Sequence, residues 1–358
     1  MSRKTITTII KYVLGVGLGV LLMWLAIPND FETQLGYFKE ANYLWVAIGL
    51  VAAILSHWLR AIRSRLLIEA AGYKANTWNI FCSIMVGYMV NQALSRVGEV
   101  TRATMTAKTE RIPLSVSFGT MVTDRIFDVI ALGLLVLGVF AFELDQVMLI
   151  MDKAFSSATP NTIPEDEIPW KLIFGIIGAV CLLVTVIFWK RLMRIPLFAK
   201  GIKFLLESWT AVKSVTKMRQ PWLFTFLSIG IWVCYILMTY LVFFALPETS
   251  GLTIGFAVTA FTMGGIGMVL PAPGGFGTYH FAIKMSFSAY AGAFFAGNVA
   301  LAENVGLSMA FIIHTSQFLM MIAVGIICYF AILPKLKIGG DKPEQAVEQP
   351  KEMAAANE

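Results

Sequence analysis

The chain has 358 residues, of which 58% are hydrophobic and only 14% charged, and it carries a net charge of +6. Soluble domains run nearer half apolar and a quarter charged, so this composition argues against an ordinary water-soluble enzyme. A mean hydropathy of +0.74 and repeated apolar runs of about 18 residues or more are the signal of transmembrane helices. The expected fold is all-α: a polytopic helical membrane protein of about eight transmembrane helices, with one or two re-entrant or broken segments.

The excess of basic residues is spread over short loops on one inferred side, as the positive-inside rule requires. Nucleic-acid binding would need a clustered basic face, and none is expected. Cys82, Cys181, Cys234 and Cys328 each sit in an apolar segment without CxxC spacing, and so read as small apolar residues. His57, His280 and His314 lack metal-ligand spacing, so neither a metal nor another cofactor is expected.

Arg3, Lys4 and Lys11 flank the start of an apolar run with no small-residue cleavage site. This predicts an uncleaved first helix over 6–27 with a cytoplasmic N-terminus. The loop 28–42 holds Asp30, Glu32, Lys39 and Glu40 and suits the outer side. A second helix starts near Tyr43, runs past Leu59, and ends in Arg60, Arg63 and Arg65, read as a cytoplasmic anchor. The apolar segment 78–94 is short, and charge balance across its flanks favours a re-entrant segment over a crossing.

Asn91 and then Arg96, Glu99 and Arg102 follow. Three-residue spacing puts the three charges near one helical face, where Glu99 can pair with both arginines. The positive charge left over suits a phosphate, for which arginine presents a planar fork. The third helix spans 114–142. Its fully apolar part, 129–142, rises only about 21 Å at 1.5 Å per residue, against a hydrocarbon core of about 30 Å. The helix must therefore draw Asp124, Arg125 and Asp128 into the membrane, where ionisable groups are functional-site candidates. Asp124 and Asp128 share a face with Thr120, and Arg125 reaches Asp128 at i, i+3.

The acidic, proline-containing loop 143–169 is expected outside, and a fourth helix covers 170–189. A basic cytoplasmic loop follows, in which apolar residues recur at helical spacing over 202–212 and suit an interfacial helix. The fifth and sixth helices, 221–246 and 252–270, form a hairpin. The stretch 263–283 then holds six glycines and two prolines. Pro271, Pro273, Gly274, Gly275 and Gly277 break the helix, which at membrane depth is tolerated only in protein or along a cavity, and exposed amides there suit an anion. A seventh helix over 276–295 carries His280 and Lys284, and an eighth covers 305–333. The tail 339–358 reads as disordered and cytoplasmic, leaving 1–338 as one transmembrane domain. The breaks at 95–98 and 274–277 match as a weak internal repeat, for which a direct and an inverted arrangement in the membrane both stay open.

Together, Asn91 with Arg96-Val97-Gly98-Glu99 and Arg102, then Asp124-Arg125-Ile126-Phe127-Asp128, then Pro271-Ala272-Pro273-Gly274-Gly275-Phe276-Gly277 resemble the membrane domain of bacterial lysylphosphatidylglycerol synthases, a flippase-like family. The chain departs from the family's usual pattern at Leu94 and His280. The resemblance implies the lipid-translocating half without the soluble lysyl-transfer half, in a bacterial-type plasma membrane. It implies a flippase or lipid-linked substrate translocator whose partners are anionic phospholipids or polyprenyl-phosphate-linked glycans. Arg96 and Arg102 would hold the lipid phosphate, with Glu99 limiting the charge. Two alternatives stay open: a membrane-embedded transferase acting on lipid-linked sugars or aminoacyl groups, and a non-catalytic membrane partner of a glycosyltransferase or synthase.

Overall fold

A computed structural model describes residues 31–93, 97–156, 218–270 and 272–338, together with the single residues 21 and 215. The predicted helices 6–27 and 170–189, the interfacial helix 202–212, the tail 339–358, Arg96 and Pro271 lie outside the described residues. Within them the chain is helical, with no strand. The helices are α1 (Phe31–Glu40), α2 (Tyr43–Ala70), α3 (Thr77–Ala93), α4 (Val97–Glu110), α5 (Leu114–Phe142), α6 (Leu144–Ser156), α7 (Pro221–Val242), α8 (Ile254–Val269), α9 (Thr278–Ala289), α10 (Ala291–Phe294) and α11 (Val299–Ile338).

Local chemistry sets several of these boundaries. Asn42 begins α2 by accepting from the Leu44 amide at 3.1 Å, and Thr253 begins α8 by accepting from Phe256 at 3.2 Å; each satisfies an orphan first-turn donor. Pro113 and Pro221 open α5 and α7, where a missing N–H costs nothing. Two predicted loops are partly helical. The stretch 28–42 contains α1, and the acidic 143–169 begins with the amphipathic α6, whose Val147 and Ile150 enter the core. Their apolar residues recur at helical spacing, and the charges that suggested loops lie on the opposite faces.

Four helices are long and apolar enough to cross a bilayer: Tyr43–Ala70, Leu114–Phe142, Pro221–Ala245 and Val299–Leu336. The other apolar helices are short. At 17, 14, 16 and 12 residues, α3, α4, α8 and α9 rise about 26, 21, 24 and 18 Å, less than the hydrocarbon core. They pair into two hairpins, α3/α4 and α8/α9. The predicted sixth and seventh crossings are thus the two arms of a second hairpin, because the glycine-proline break turns the chain back.

Helix α11 serves as a ruler for both hairpins. Lys284 and Ser288 of α9 meet Glu303. The α8–α9 loop meets His314, whose Nε2 lies 2.9 Å from the Gly274 carbonyl. Gln92, at the end of α3, meets Met321, and Asn79, near the start of α3, accepts from Lys335 at 2.8 Å. The order along α11 is therefore base of the second hairpin, its tip, tip of the first, and base of the first. The hairpins enter from opposite ends, and their tips meet at levels only about 10 Å apart along the axis. Gln92 Oε1 lies 3.4 Å from where a Cβ on Gly274 would stand.

The long helices follow the same antisymmetry. Gly49 of α2 faces Met238 and Val242 of α7, whereas Arg60 and Arg63 bond Tyr235 and Ser228. As one number rises the other falls, so α2 and α7 are antiparallel. Among the described residues the chain forms two units, each a long helix, a short hairpin and a long helix, running in opposite senses. At the second hairpin's base the core is aromatic, with Phe256 packed edge-on against Phe287 at 4.9 Å and stacked with Phe243 at 5.7 Å.

Candidate intramembrane charge cluster

The site is built outward from Asp124, which is fully buried in α5. Its Oδ1 accepts from Arg63 Nε at 2.8 Å. Its Oδ2 accepts from Arg60 Nη1 at 3.3 Å and from Arg102 Nη2 at 3.1 Å. One turn on, Asp128 accepts from Arg63 Nη2 at 2.7 Å and from Arg60 Nη1. Arg60 also donates to Tyr235 Oη at 3.2 Å, Arg63 to Ser228 Oγ at 3.3 Å, and Arg102 to Ser64 Oγ at 2.7 Å. Two carboxylates in such an interior stand only because nearly every oxygen is met by a guanidinium.

Helical geometry explains the convergence. Arg60, Arg63 and Ser64 lie at i, i+3 and i+4 on α2, and Asp124 and Asp128 at i, i+4 on α5, so each set shares one face. Arg102 comes from the returning arm of the first hairpin. Three walls and the hairpin are thus tied at one level.

The remaining predicted residues divide. Asn91 caps the hairpin from within, its Oδ1 accepting from the Gly98 amide at 2.8 Å. Glu99 does not pair with Arg102, because Arg102 turns inward to Asp124. Glu99 instead meets Arg125 at 2.9 Å, a pair whose side chains are 38% and 35% exposed; Arg125 lies 3.7 Å from Asp128. In the glycine loop, Gly274, Gly275 and Gly277 take φ of 59°, 70° and 82°, which glycine alone adopts freely. The Gly275 amide donates to Ala272 O at 3.0 Å and so is not free for an anion. His280 is fully buried and neither ring nitrogen has a partner; its ring packs on His314 and Phe311, with centroids at 5.0 and 4.4 Å. Lys284 is paired with Glu303 at 3.3 Å. No group of three His, Cys, Asp or Glu residues that could hold a metal exists among the described residues.

Sequence reasoning misplaced Arg60 and Arg63. They are not an anchor at a helix end but buried members of the cluster, 2% and 0% exposed. The signal was present: Leu66-Leu67-Ile68 continues the apolar pattern beyond Arg65, so the helix does not stop there, and the i, i+3 spacing of the arginines complements the two aspartates on α5.

A family model described as the lysylphosphatidylglycerol synthase TM region matches residues 12–325. The chain belongs to that family. Among curated relatives, a UPF0104 membrane protein of Methanocaldococcus jannaschii is 26% identical over 267 residues, covering 70% of this chain and 76% of its own length. Glycosyltransferase AglD of Haloferax volcanii is 24% identical over 317 residues, covering 81% of this chain but only 50% of its own length. No solved structure matches the chain. Family and fold together make this a multi-pass membrane protein.

Proposed function

We propose that the protein moves an anionic lipid, or a lipid-linked substrate, across a bacterial-type plasma membrane, with both termini cytoplasmic. One observation carries this reading: two short hairpins enter the bundle from opposite ends and meet tip to tip beside a buried ion cluster. Interrupted helices from two oppositely oriented repeats are the usual frame of a midplane transport site, and intramembrane charges mark substrate paths. In this reading the half-exposed Glu99–Arg125 pair opens to receive the headgroup, with Arg96 and Arg102 contributing charge to its phosphate. The Arg60/Arg63/Asp124/Asp128 core holds the walls in register. Pro271, Pro273 and the glycines let the second tip move aside.

The test is lipid movement in proteoliposomes, using fluorescent phosphatidylglycerol and a polyprenyl-phosphate analogue. Wild-type protein moves at least one of them, and Arg125→Gln slows that movement at least about tenfold while eluting as a folded species. Movement of neither lipid by folded wild-type protein rejects the reading. The glycosyltransferase relative favours a second one, in which this domain serves a transferase acting on lipid-linked sugars; capture of a lipid-linked sugar without its movement would support that instead.

A further inference from the structure

Two of the chain's three histidines meet at the tip of the second hairpin. His280 of α9 and His314 of α11 stand edge to face, with ring centroids 5.0 Å apart. His280 is fully buried, and neither of its nitrogens has a partner. Buried polar atoms left unmet are costly, and folded proteins keep few of them without a use. His314 is half-buried. Its Nε2 lies 2.9 Å from the Gly274 carbonyl, which can only accept, so Nε2 carries the proton and Nδ1 the lone pair. Neutral His280 also keeps one lone pair. The two rings thus offer two basic nitrogens, and repulsion between like charges limits them to one extra proton.

The surroundings of the pair are aromatic. Phe311, Phe276 and Tyr279 lie 4.4, 5.4 and 5.9 Å from His280, and Tyr279 stacks on His314 at 5.4 Å. Helix α8, which packs on α9, has no ionisable residue. Lys284, one turn beyond His280 on α9, is paired with Glu303 of α11 at 3.3 Å. From α3 comes Gln92, beside Gly274, and from α1 comes Phe38, against Phe311. Among the described residues, His314 is the titratable group that bears on His280. Aromatic faces accept a cation, but an imidazolium here has no anion beside it. The charged pair is therefore stable only when an anion arrives with it. The guanidinium groups of the ion cluster cannot exchange protons near neutral pH, whereas imidazoles can.

We propose that the His280–His314 pair binds one proton together with each anionic headgroup, so that lipid and proton cross in company and a proton gradient drives the movement. The inference rests on the translocation reading above and names its energy source. A proton needs no cavity, which suits nitrogens closed off inside a packed tip. It adds to an imidazole lone pair from water on one side and returns to water on the other. A singly charged phosphodiester such as phosphatidylglycerol then crosses with no net charge. Proton and headgroup each strengthen the other's binding by the same factor. The pair stands where the tips meet, since Gly274 touches both His314 and Gln92.

The experiment gives proteoliposomes of the full-length protein a pH difference of about one unit, with the membrane potential clamped, and follows the same two fluorescent lipids. One unit is a tenfold ratio of proton activity, so one proton per lipid allows at most about tenfold accumulation in the leaflet facing the alkaline side. Wild type reaches at least about threefold there with the lipid it moves. His280→Gln and His314→Gln, eluting as folded species, equalise the leaflets whatever the gradient, whereas His57→Gln accumulates the lipid as wild type does. Calorimetric titration of wild type with a short-chain phosphatidylglycerol, in buffers of different ionisation enthalpy near neutral pH, shows about one proton taken up per lipid bound. Equal leaflets in wild type, accumulation that survives in both the His280 and the His314 variants, or lipid binding without proton uptake overturns the inference and leaves translocation standing. Movement of neither lipid by folded wild type rejects translocation and the coupling with it.

Discussion

The two hairpins are built alike and held differently. In the first, Gly87 and Gly98 bring the arms into backbone contact; in the second, Gly267 and Thr278 do so. The contacting positions are eleven residues apart in both, and a small residue at the crossing is what lets helices approach closely in a membrane. Beyond that, the first hairpin is electrostatically anchored: Asn91 caps its returning arm and Arg102 is tied to Asp124. The second has no side-chain cap at Gly277, and near its tip stand two imidazoles and aromatic rings rather than an ion pair. Sequence-level symmetry therefore sets the frame, while the charge network near the tips belongs to the first hairpin and the second carries the Lys284–Glu303 pair at its base. That assigns register to the first hairpin and leaves the second tip held by packing and one hydrogen bond from His314.

The largest test of this contrast removes its centre. Asp124→Ala leaves three buried guanidinium groups without their shared acceptor, and breaking such a network by deleting one partner costs about 3–5 kcal/mol. Thermal unfolding in detergent should show loss of the folded species or a collapse in melting temperature. The arms themselves come next. An alanine at Gly98 would drive its Cβ into the Gly87 carbonyl and to 2.6 Å from the Asn91 amide carbon, whereas one at Gly267 would meet the Thr278 carbonyl at 2.7 Å and Ala282 at 3.1 Å. Overpacking costs about 1–3 kcal/mol, with Gly98→Ala at the upper end and Gly267→Ala below it; equal losses would deny that the first hairpin is the more tightly fixed. At the second hairpin the sign reverses. His280 is buried with both nitrogens unpartnered, so His280→Leu removes a desolvation cost and should be neutral or stabilising by about 1 kcal/mol. A loss of more than that would mean that the imidazole has a partner.

Much of this architecture was legible in the chain. Helix α5 has the bounds 114–142 that hydropathy suggests, and the glycine-proline stretch announced a break. What was not legible was partnership. Arg60 and Arg63 look like every other basic helix end until α5 supplies Asp124 and Asp128, and α2 and α5 are brought together by packing, which no local spacing encodes. Glu99 was misassigned for the same reason: i, i+3 spacing makes Arg102 its available neighbour, but an aspartate buried across the interface competes better for that arginine than a half-exposed glutamate does. The hairpin nature of 254–289 was obscured because both arms are as apolar as crossing helices and differ only in length.

The smallest stability effect belongs to the pair on which the functional reading depends most. Glu99 and Arg125 meet at the edge of the cluster with more than a third of each side chain exposed, and exposed pairs contribute only about 0–1 kcal/mol. Glu99→Gln and Arg125→Gln should therefore melt within a degree or two of wild type, unlike Asp124→Ala. If this pair is the one that opens to a headgroup, the two variants must part company in transport. Arg125→Gln loses the cation that meets the phosphate and slows lipid movement, whereas Glu99→Gln frees Arg125 and strengthens anionic-lipid capture while slowing release. Equal effects of both changes would make the pair a structural clasp on the first hairpin, and the contact with the headgroup would have to lie deeper, at Arg102.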